Sequence, residues 1–195
     1  MFVALADLNH DQILDVVALE WNRDDSPGTV EILMGVGDFT LHSGPIYPVI
    51  EGPSAMAIED FDRDGHLDIA VGSSRNSRVT LLFGDGTGTL DNDDVPFAAC
   101  ANAVALGDFD DDNCLNLATA NVDSTVSFYF GYIADHTYSK PSYETAKAGA
   151  QVAVGDLDGD GRLDIVTQPL LDNPMTVSFG TSVGFERSNL EVDAI

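Results

Sequence analysis

The sequence predicts an all-β fold of four four-stranded antiparallel sheets stacked side by side around an axis, a β-propeller, and three observations predict it. First, a short acidic stretch between two apolar runs occurs four times, at 7–15, 60–68, 108–116 and 156–164. The first residues, Asp7, Asp60, Asp108 and Asp156, stand 53, 48 and 48 residues apart, and a regular period in that range marks propellers and solenoids. Second, the registry extends beyond the acids. An alanine stands three residues before each first Asp (Ala4, Ala57, Ala105, Ala153) and a leucine seven after it (Leu14, Leu67, Leu115, Leu163). Third, no stretch shows a capped apolar period of 3.6, whereas short β-branched and aromatic runs bounded by Gly, Asp and Pro recur throughout.

Each repeat divides into four strands. In the second, 55–59 leads into the acidic loop and 67–73 leads out; 78–83 follows and ends in Gly84-Asp-Gly86-Thr-Gly88, a hairpin composition. The outer strand is expected at 95–99. Third strands elsewhere are expected at 29–34, 125–130 and 176–179, each followed by glycine (Gly35, Gly131, Gly180). The remaining outer strands are expected at 46–50, 143–146 and 185–192. Such small sheets cannot bury both faces alone, so they must stack on one another. Radial stacking gives a single propeller domain over 1–195, with repeats of approximately 1–52, 53–100, 101–148 and 149–195. The bulky residue after each first Asp (Leu8, Phe61, Phe109, Leu157) is expected to plug between blades.

Composition narrows the function classes. The net charge of −25, from 33 acids against 8 bases, excludes phosphate backbones and anionic membranes as partners. An apolar fraction of 44% excludes a disordered chain. No apolar run approaches the roughly 20 residues of a membrane helix, so membrane insertion is not expected. The opening MFVALADLNHD has no basic n-region and no cleavage site; the expectation is a chain without a leader, or a piece of something longer. Cys100 and Cys114 are too few for a disulfide framework and too far apart within one blade to pair.

The acidic loops carry the chemistry. Asp156, Asp158, Asp160 and Asp164 place four carboxylates in nine residues, interleaved with Gly159 and Gly161. Such a cluster repels itself unless a cation sits within it, and a hard dication taking six to eight oxygens at about 2.3–2.6 Å suits it. Glycine supplies the positive φ that folds the loop inward.

The pattern Gly-Asp-apolar-Asp-x-Asp-Gly-x-x-Asp between two strands, repeated at about fifty residues, resembles the FG-GAP (VCBS) repeat of integrin α-chain propellers and related secreted proteins. The resemblance covers nearly the whole chain and implies Ca2+, two to four ions. It makes loop positions one, three, five and nine side-chain ligands and position seven a backbone-carbonyl ligand. These are Asp156, Asp158, Asp160, Arg162 and Asp164 in the fourth loop, and Asp60, Asp62, Asp64, His66 and Asp68 in the second. In the third they are Asp108, Asp110, Asp112, Cys114 and Asn116; in the first, Asp7, Asn9, Asp11, Ile13 and Asp15. The second and fourth loops keep glycine at position six (Gly65, Gly161), the third has Asn113 and the first Gln12. Occupancy is therefore expected to rank fourth and second, then third, then first.

Other readings of these residues are weaker. An EF-hand needs a bidentate Glu at position twelve and flanking helices; Ala18, Val71, Thr119 and Thr167 stand there. Acids that merely solvate turns would not recur in register four times. A closed oxygen cage leaves no open position for a substrate, so the cation reads as structural. His10, His42, His66 and His136 have no metalloprotease spacing, and no nucleophile elbow occurs. His10 and His66 are expected to face solvent, and the variable loop Trp21-Asn22-Arg23-Asp24 reads as a solvated insertion or a binding loop.

The expected function is non-enzymatic: a calcium-stabilised extracellular or cell-surface recognition and adhesion module, binding protein or glycan through its loop face. The scaffold of a carbohydrate-active enzyme such as a polysaccharide lyase, or a purely structural repeat, is the alternative. The sequence has neither Arg-Gly-Asp nor an N-glycosylation sequon. It starts on an inner strand and stops on an outer one, so no strand is left to clasp a ring. An incomplete propeller, finished by further repeats or a second copy, is expected ahead of a closed four-bladed ring. In that case the end faces would carry Leu5, Val16 and Leu33 on one side and Val154, Ile165 and Val177 on the other.

Overall fold

A computed structural model describes residues 2–21, 26–96, 100–112, 114–123, 125–130, 142–143, 151–168, 175–181 and 184–188. Among the described residues, sixteen strands form four antiparallel sheets, each a four-stranded meander in chain order. The first blade is β1 Phe2–Ala6, β2 Asp15–Glu20, β3 Pro27–Gly35 and β4 Leu41–Glu51. The second is β5 Pro53–Glu59, β6 Asp68–Ser73, β7 Arg78–Gly84 and β8 Leu90–Pro96. The third is β9 Ala101–Gly107, β10 Asn116–Asn121, β11 Val126–Tyr129 and β12 Ser142–Tyr143. The fourth is β13 Gln151–Gly155, β14 Asp164–Gln168, β15 Thr176–Thr181 and β16 Gly184–Ser188. No helix occurs among the described residues. The architecture is that of all-β propeller blades.

The chain divides into two compact units, Met1–Ala98 and Ala99–Ile195. In the first, Val17, Leu19, Val30 and Ile32 of the first blade are buried against Ile69, Val71 and Leu82 of the second. Hydrogen bonds tie the outer strand of the first blade to the third and outer strands of the second: Ile50 N donates to Thr80 Oγ1 (3.1 Å), Leu90 N to the Tyr47 hydroxyl (2.8 Å) and Asn92 Nδ2 to Pro48 O (2.8 Å). In the second unit, Ala118, Ala120, Val126 and Phe128 pack with Ile165, flanked by Val152 and Val154. Phe109 meets Phe128 edge-on at 5.3 Å. Alternation along each strand produces this: one row of side chains faces the preceding blade and the other the following one.

That rule corrects the end-face assignment. Ile165 pairs with Val154 and Ser178, whereas Val177 pairs with Val166. Antiparallel partners share a face, so Ile165 and Val154 look toward the third blade and Val177 looks away from it. Leu5, Val16 and Leu33 do form one row, and Val3 and Leu5 in that sheet face are 59% and 61% exposed.

Three other expectations differ. The second outer strand lies at Leu90–Pro96, five residues before the expected start, because the glycine-rich turn closes tightly. Asp85 N donates to Thr89 O (3.2 Å), and Leu90 already pairs with Gly84. The first outer strand likewise starts early, at Leu41, opposite Gly35. Leu8 and Phe61 are buried as expected, but Leu157 is 56% exposed. Cys100 and Cys114 form no disulfide. The expectations at Asn22, Arg23 and Asp24, 97–99, Asn113, Gly131, His136, 144–146 and 189–192 lie outside the described residues.

Candidate metal centre

Each acidic loop joins the two innermost strands of a blade, and its ninth residue is its anchor. Asp15, Asp68, Asn116 and Asp164 are all fully buried at the first position of the second strand. Asp68 Oδ2 accepts from Phe61 N (2.7 Å) and Oδ1 from Gly84 N (2.7 Å). Asp15 does the same with Leu8 N (3.0 Å) and Gly35 N (2.8 Å), and Asp164 with Leu157 N (2.7 Å) and Gly180 N (2.9 Å). One carboxylate thus ties the loop start to the end of the third strand.

This explains the glycine after the third strand in the first, second and fourth blades. A Cβ on Gly35, Gly84 or Gly180 would stand 2.4, 2.3 or 2.5 Å from the carbonyl oxygen of Leu14, Leu67 or Leu163. Only a bare backbone can bring its amide to the buried acid. In the third loop Asn116 Oδ1 accepts from Phe109 N (2.7 Å), and its Nδ2 is buried without a partner.

The remaining acids wrap the loop by accepting from its own amides. Position one accepts from position six: Asp7 Oδ2 from Gln12 N (2.9 Å), Asp60 Oδ2 from Gly65 N (3.0 Å), Asp156 Oδ2 from Gly161 N (3.1 Å). Position five accepts from position seven, as Asp64 Oδ1 from His66 N and Asp160 Oδ1 from Arg162 N. In the first, second and fourth loops two residues take left-handed backbone. Position six was legible as glycine (Gly65 φ 93°, Gly161 φ 90°), but Gln12 adopts φ 69° there. Position four also needs positive φ, at His10, Arg63, Asp111 and Gly159. Only Gly159 signalled it.

Among the described residues, the folded loops gather carboxylate oxygens within 4.8 Å of one another in three triads: Asp60, Asp62 and Asp68; Asp108, Asp110 and Asp112; Asp156, Asp158 and Asp164. Asp64 and Asp160 stand outside these triads, and Asp7, Asp11 and Asp15 of the first loop form none. There Asn9 Nδ2 donates to Asp11 Oδ2 (3.0 Å), an internal stand-in for positive charge. Electrostatics registers the crowding. Burial pushes the Asp68 carboxyl up to about 6 against its two amide donors, with Asp62 and Asp64 adding to the rise. Asp62 is raised by burial and then by Asp64 and Asp60; Asp110 by burial and then by Asp112 and Asp108. In addition, Asp60 Oδ1 is buried with no hydrogen-bond partner. A buried, orphaned carboxylate oxygen beside two more carboxylates fits a hard dication.

The family model for the FG-GAP-like repeat matches residues 7–71 and 108–167, so both matched segments begin on a loop's first Asp. The chain belongs to the FG-GAP-like repeat family. Among solved structures, FG-GAP-like blades of this kind superpose on BBS1N in complex with ARL6DN. The lead-soaked crystal matches with TM-score 0.64 at 13% identity, covering 96% of this chain and 54% of that one. The mercury-soaked crystal matches with TM-score 0.62 at 14% identity, covering 96% and 51%. The chain therefore spans about half the length of those solved chains, and the likeness is one of fold. No curated protein matches the sequence. The chain is thus built of FG-GAP-like repeats folded as propeller blades.

Proposed function

We propose that the chain is a calcium-stabilised recognition module that works outside the cell or at its surface and binds a protein partner through loops at one face of a propeller. The observation that carries the metal half is the second-loop triad with its orphaned Asp60 Oδ1. Calcium would be held there by Asp60, Asp62 and Asp68, with Asp64 and the His66 carbonyl available as further oxygens. It would be held by Asp156, Asp158, Asp160, Asp164 and the Arg162 carbonyl in the fourth loop. In the third it would use Asp108, Asp110, Asp112, Asn116 and the Cys114 carbonyl. Asp7, Asn9, Asp11, Asp15 and the Ile13 carbonyl make the weakest set. The cation's part is charge neutralisation and rigidity. Extracellular calcium fills loops of this class, whereas resting cytosol leaves weak sites empty, which motivates the compartment. The blades are taken as one propeller over 1–195, its ring completed by further repeats or a second copy.

The partner half is supported by the solved relative's complex with a protein and by the β3–β4 hairpin tip. Phe39 is fully exposed at φ 68°. The equivalent residue of the β7–β8 hairpin is Gly88, at φ 84°. A bulky side chain in left-handed backbone costs about 1–2 kcal/mol, and an aromatic ring in water recovers none of it. Asp38 beside it is held below the usual carboxylate range by its bonds from Thr40. An aromatic prong beside a fixed negative charge suits an apolar pocket with a basic rim. Phe39→Gly is accordingly expected to leave the melting midpoint unchanged or to raise stability by up to about 1 kcal/mol. A clear loss on thermal denaturation would give the ring a folding role and remove this support.

Calorimetric titration tests the metal half. Calcium binding to the whole chain is expected to lose one site in Asp158→Ala, whose carboxylate belongs to the fourth-loop triad, and to change little in Asp11→Ala, whose loop forms no triad. Equal damage from the two variants would overturn the ordering of sites, and no heat of binding in the unaltered chain would remove the proposal.

A further inference from the structure

The first two blades touch through their loops as well as their cores. His10 Nε2 lies 3.0 Å from His66 Nδ1, with ring centroids 5.1 Å apart and tilted by 54°. Both side chains are exposed, as the sequence suggested, but they meet each other. The contact joins position four of one loop to position seven of the next. The same two positions in the second unit are Asp111 and Arg162, and they too are joined: Arg162 Nε lies 3.4 Å from Asp111 Oδ2. The repeat therefore builds one bridge between neighbouring loops. It is filled with opposite charges in one unit and with two imidazoles in the other.

Two neutral imidazoles can share a single hydrogen bond, and two protonated ones repel. Neither state matches the ion pair at the equivalent place. A dication between the nitrogens would. We propose that His10 Nε2 and His66 Nδ1 chelate a transition-metal dication of the zinc class, clasping the first and second blades at a site separate from the acidic loops. Imidazole nitrogen suits Zn2+, Cu2+ and Ni2+, whereas Ca2+ and Mg2+ prefer oxygen. With metal–nitrogen bonds of about 2.0–2.1 Å, tetrahedral coordination sets two nitrogens about 3.3 Å apart, so the rings need only a small turn from their present separation. The one facing nitrogen that carries the shared proton loses it to solvent while its ring takes a proton at the far nitrogen, and the other is already bare, leaving N–H on His10 Nδ1 and His66 Nε2.

The surroundings keep the place open. Gly86, at φ 73°, lies under the His66 ring; a Cβ there would come within 2.3 Å of Nδ1 itself. Among the described residues no carboxylate or third histidine joins the pair within 4.8 Å, so water completes the coordination. The His66 ring is distinct from its backbone carbonyl, so this metal and a calcium ion in the second loop do not compete for an atom.

Zinc titrated into the whole chain in millimolar calcium is expected to bind with one-to-one stoichiometry. His10→Gln and His66→Gln should each weaken it at least tenfold, and His42→Gln should not change it. Copper(II) at one equivalent on the unaltered protein should show hyperfine coupling to two imidazole nitrogens, a readout that needs no variant to fold. Zinc binding that persists in the His10→Gln/His66→Gln double variant, or copper bound to oxygens alone, would overturn the site.

Discussion

Asp68→Ala is expected to cost the calcium-loaded protein about 3–5 kcal/mol. The Asp68 carboxylate accepts from Phe61 N and Gly84 N, both at 2.7 Å, and is fully buried. Hydrogen bonds to a charged acceptor contribute roughly 1.5–3 kcal/mol each, and their removal leaves two amides without partners. It also takes an oxygen from the triad with Asp60 and Asp62. Asp68→Asn should cost less, because Asn116 shows that an amide can keep the Phe109-type bond while its Nδ2 goes unpaired. The thermal midpoint of Asp68→Ala should fall by roughly 10 °C or more. A fall no greater than that of Asp64→Ala, whose side chain lies outside the triad, would deny the anchoring role.

Calcium is expected to stabilise the fold most where the metal-free protein is weakest, above pH 6. The folded-state carboxyl of Asp68 is raised from 3.8 to about 6, and those of Asp62 and Asp110 are raised in the same direction. A raised carboxyl favours the folded state while it is protonated. That stability is fully present below the unfolded value and is lost as pH climbs through the folded one. In chelator, the midpoint should therefore decline between about pH 4 and pH 6. A dication among the oxygens favours their charged form and should flatten the decline. A chelated protein that grows more stable over this range would contradict the crowding of the triads.

Much of this was legible in the sequence because the repeat multiplies weak signals. One acidic loop is ambiguous; four with alanine and leucine in register place the inner strands and the loop positions. Glycine at position six could be read from its need for left-handed backbone. What could not be read is what other residues do in glycine's place. Arg63 and Asp111 adopt positive φ at position four without announcing it, because the loop's amide-to-carboxylate bonds outweigh the local cost. The glycine after each third strand was visible as a regularity, but the reason at Gly35, Gly84 and Gly180, a leucine carbonyl within 2.3–2.5 Å of any Cβ, exists only once the strands pair. The outer strands were placed least well, since edge strands carry little burial pattern and their start follows the hairpin turn. The pairing of His10 with His66 spans 56 residues, and no local pattern could reveal it.

The thermal midpoint of the whole chain at pH 7.5, in chelator and in millimolar calcium, tests the account most directly. A ligand that binds only the native state adds about 2.7 kcal/mol per site at a hundredfold excess over its dissociation constant. Three triads filled together are expected to raise the midpoint by well over 10 °C, with magnesium at the same concentration giving much less because it dehydrates reluctantly. A midpoint that calcium leaves unchanged would mean that the acids serve only to wrap their loops, and that the metal reading is wrong.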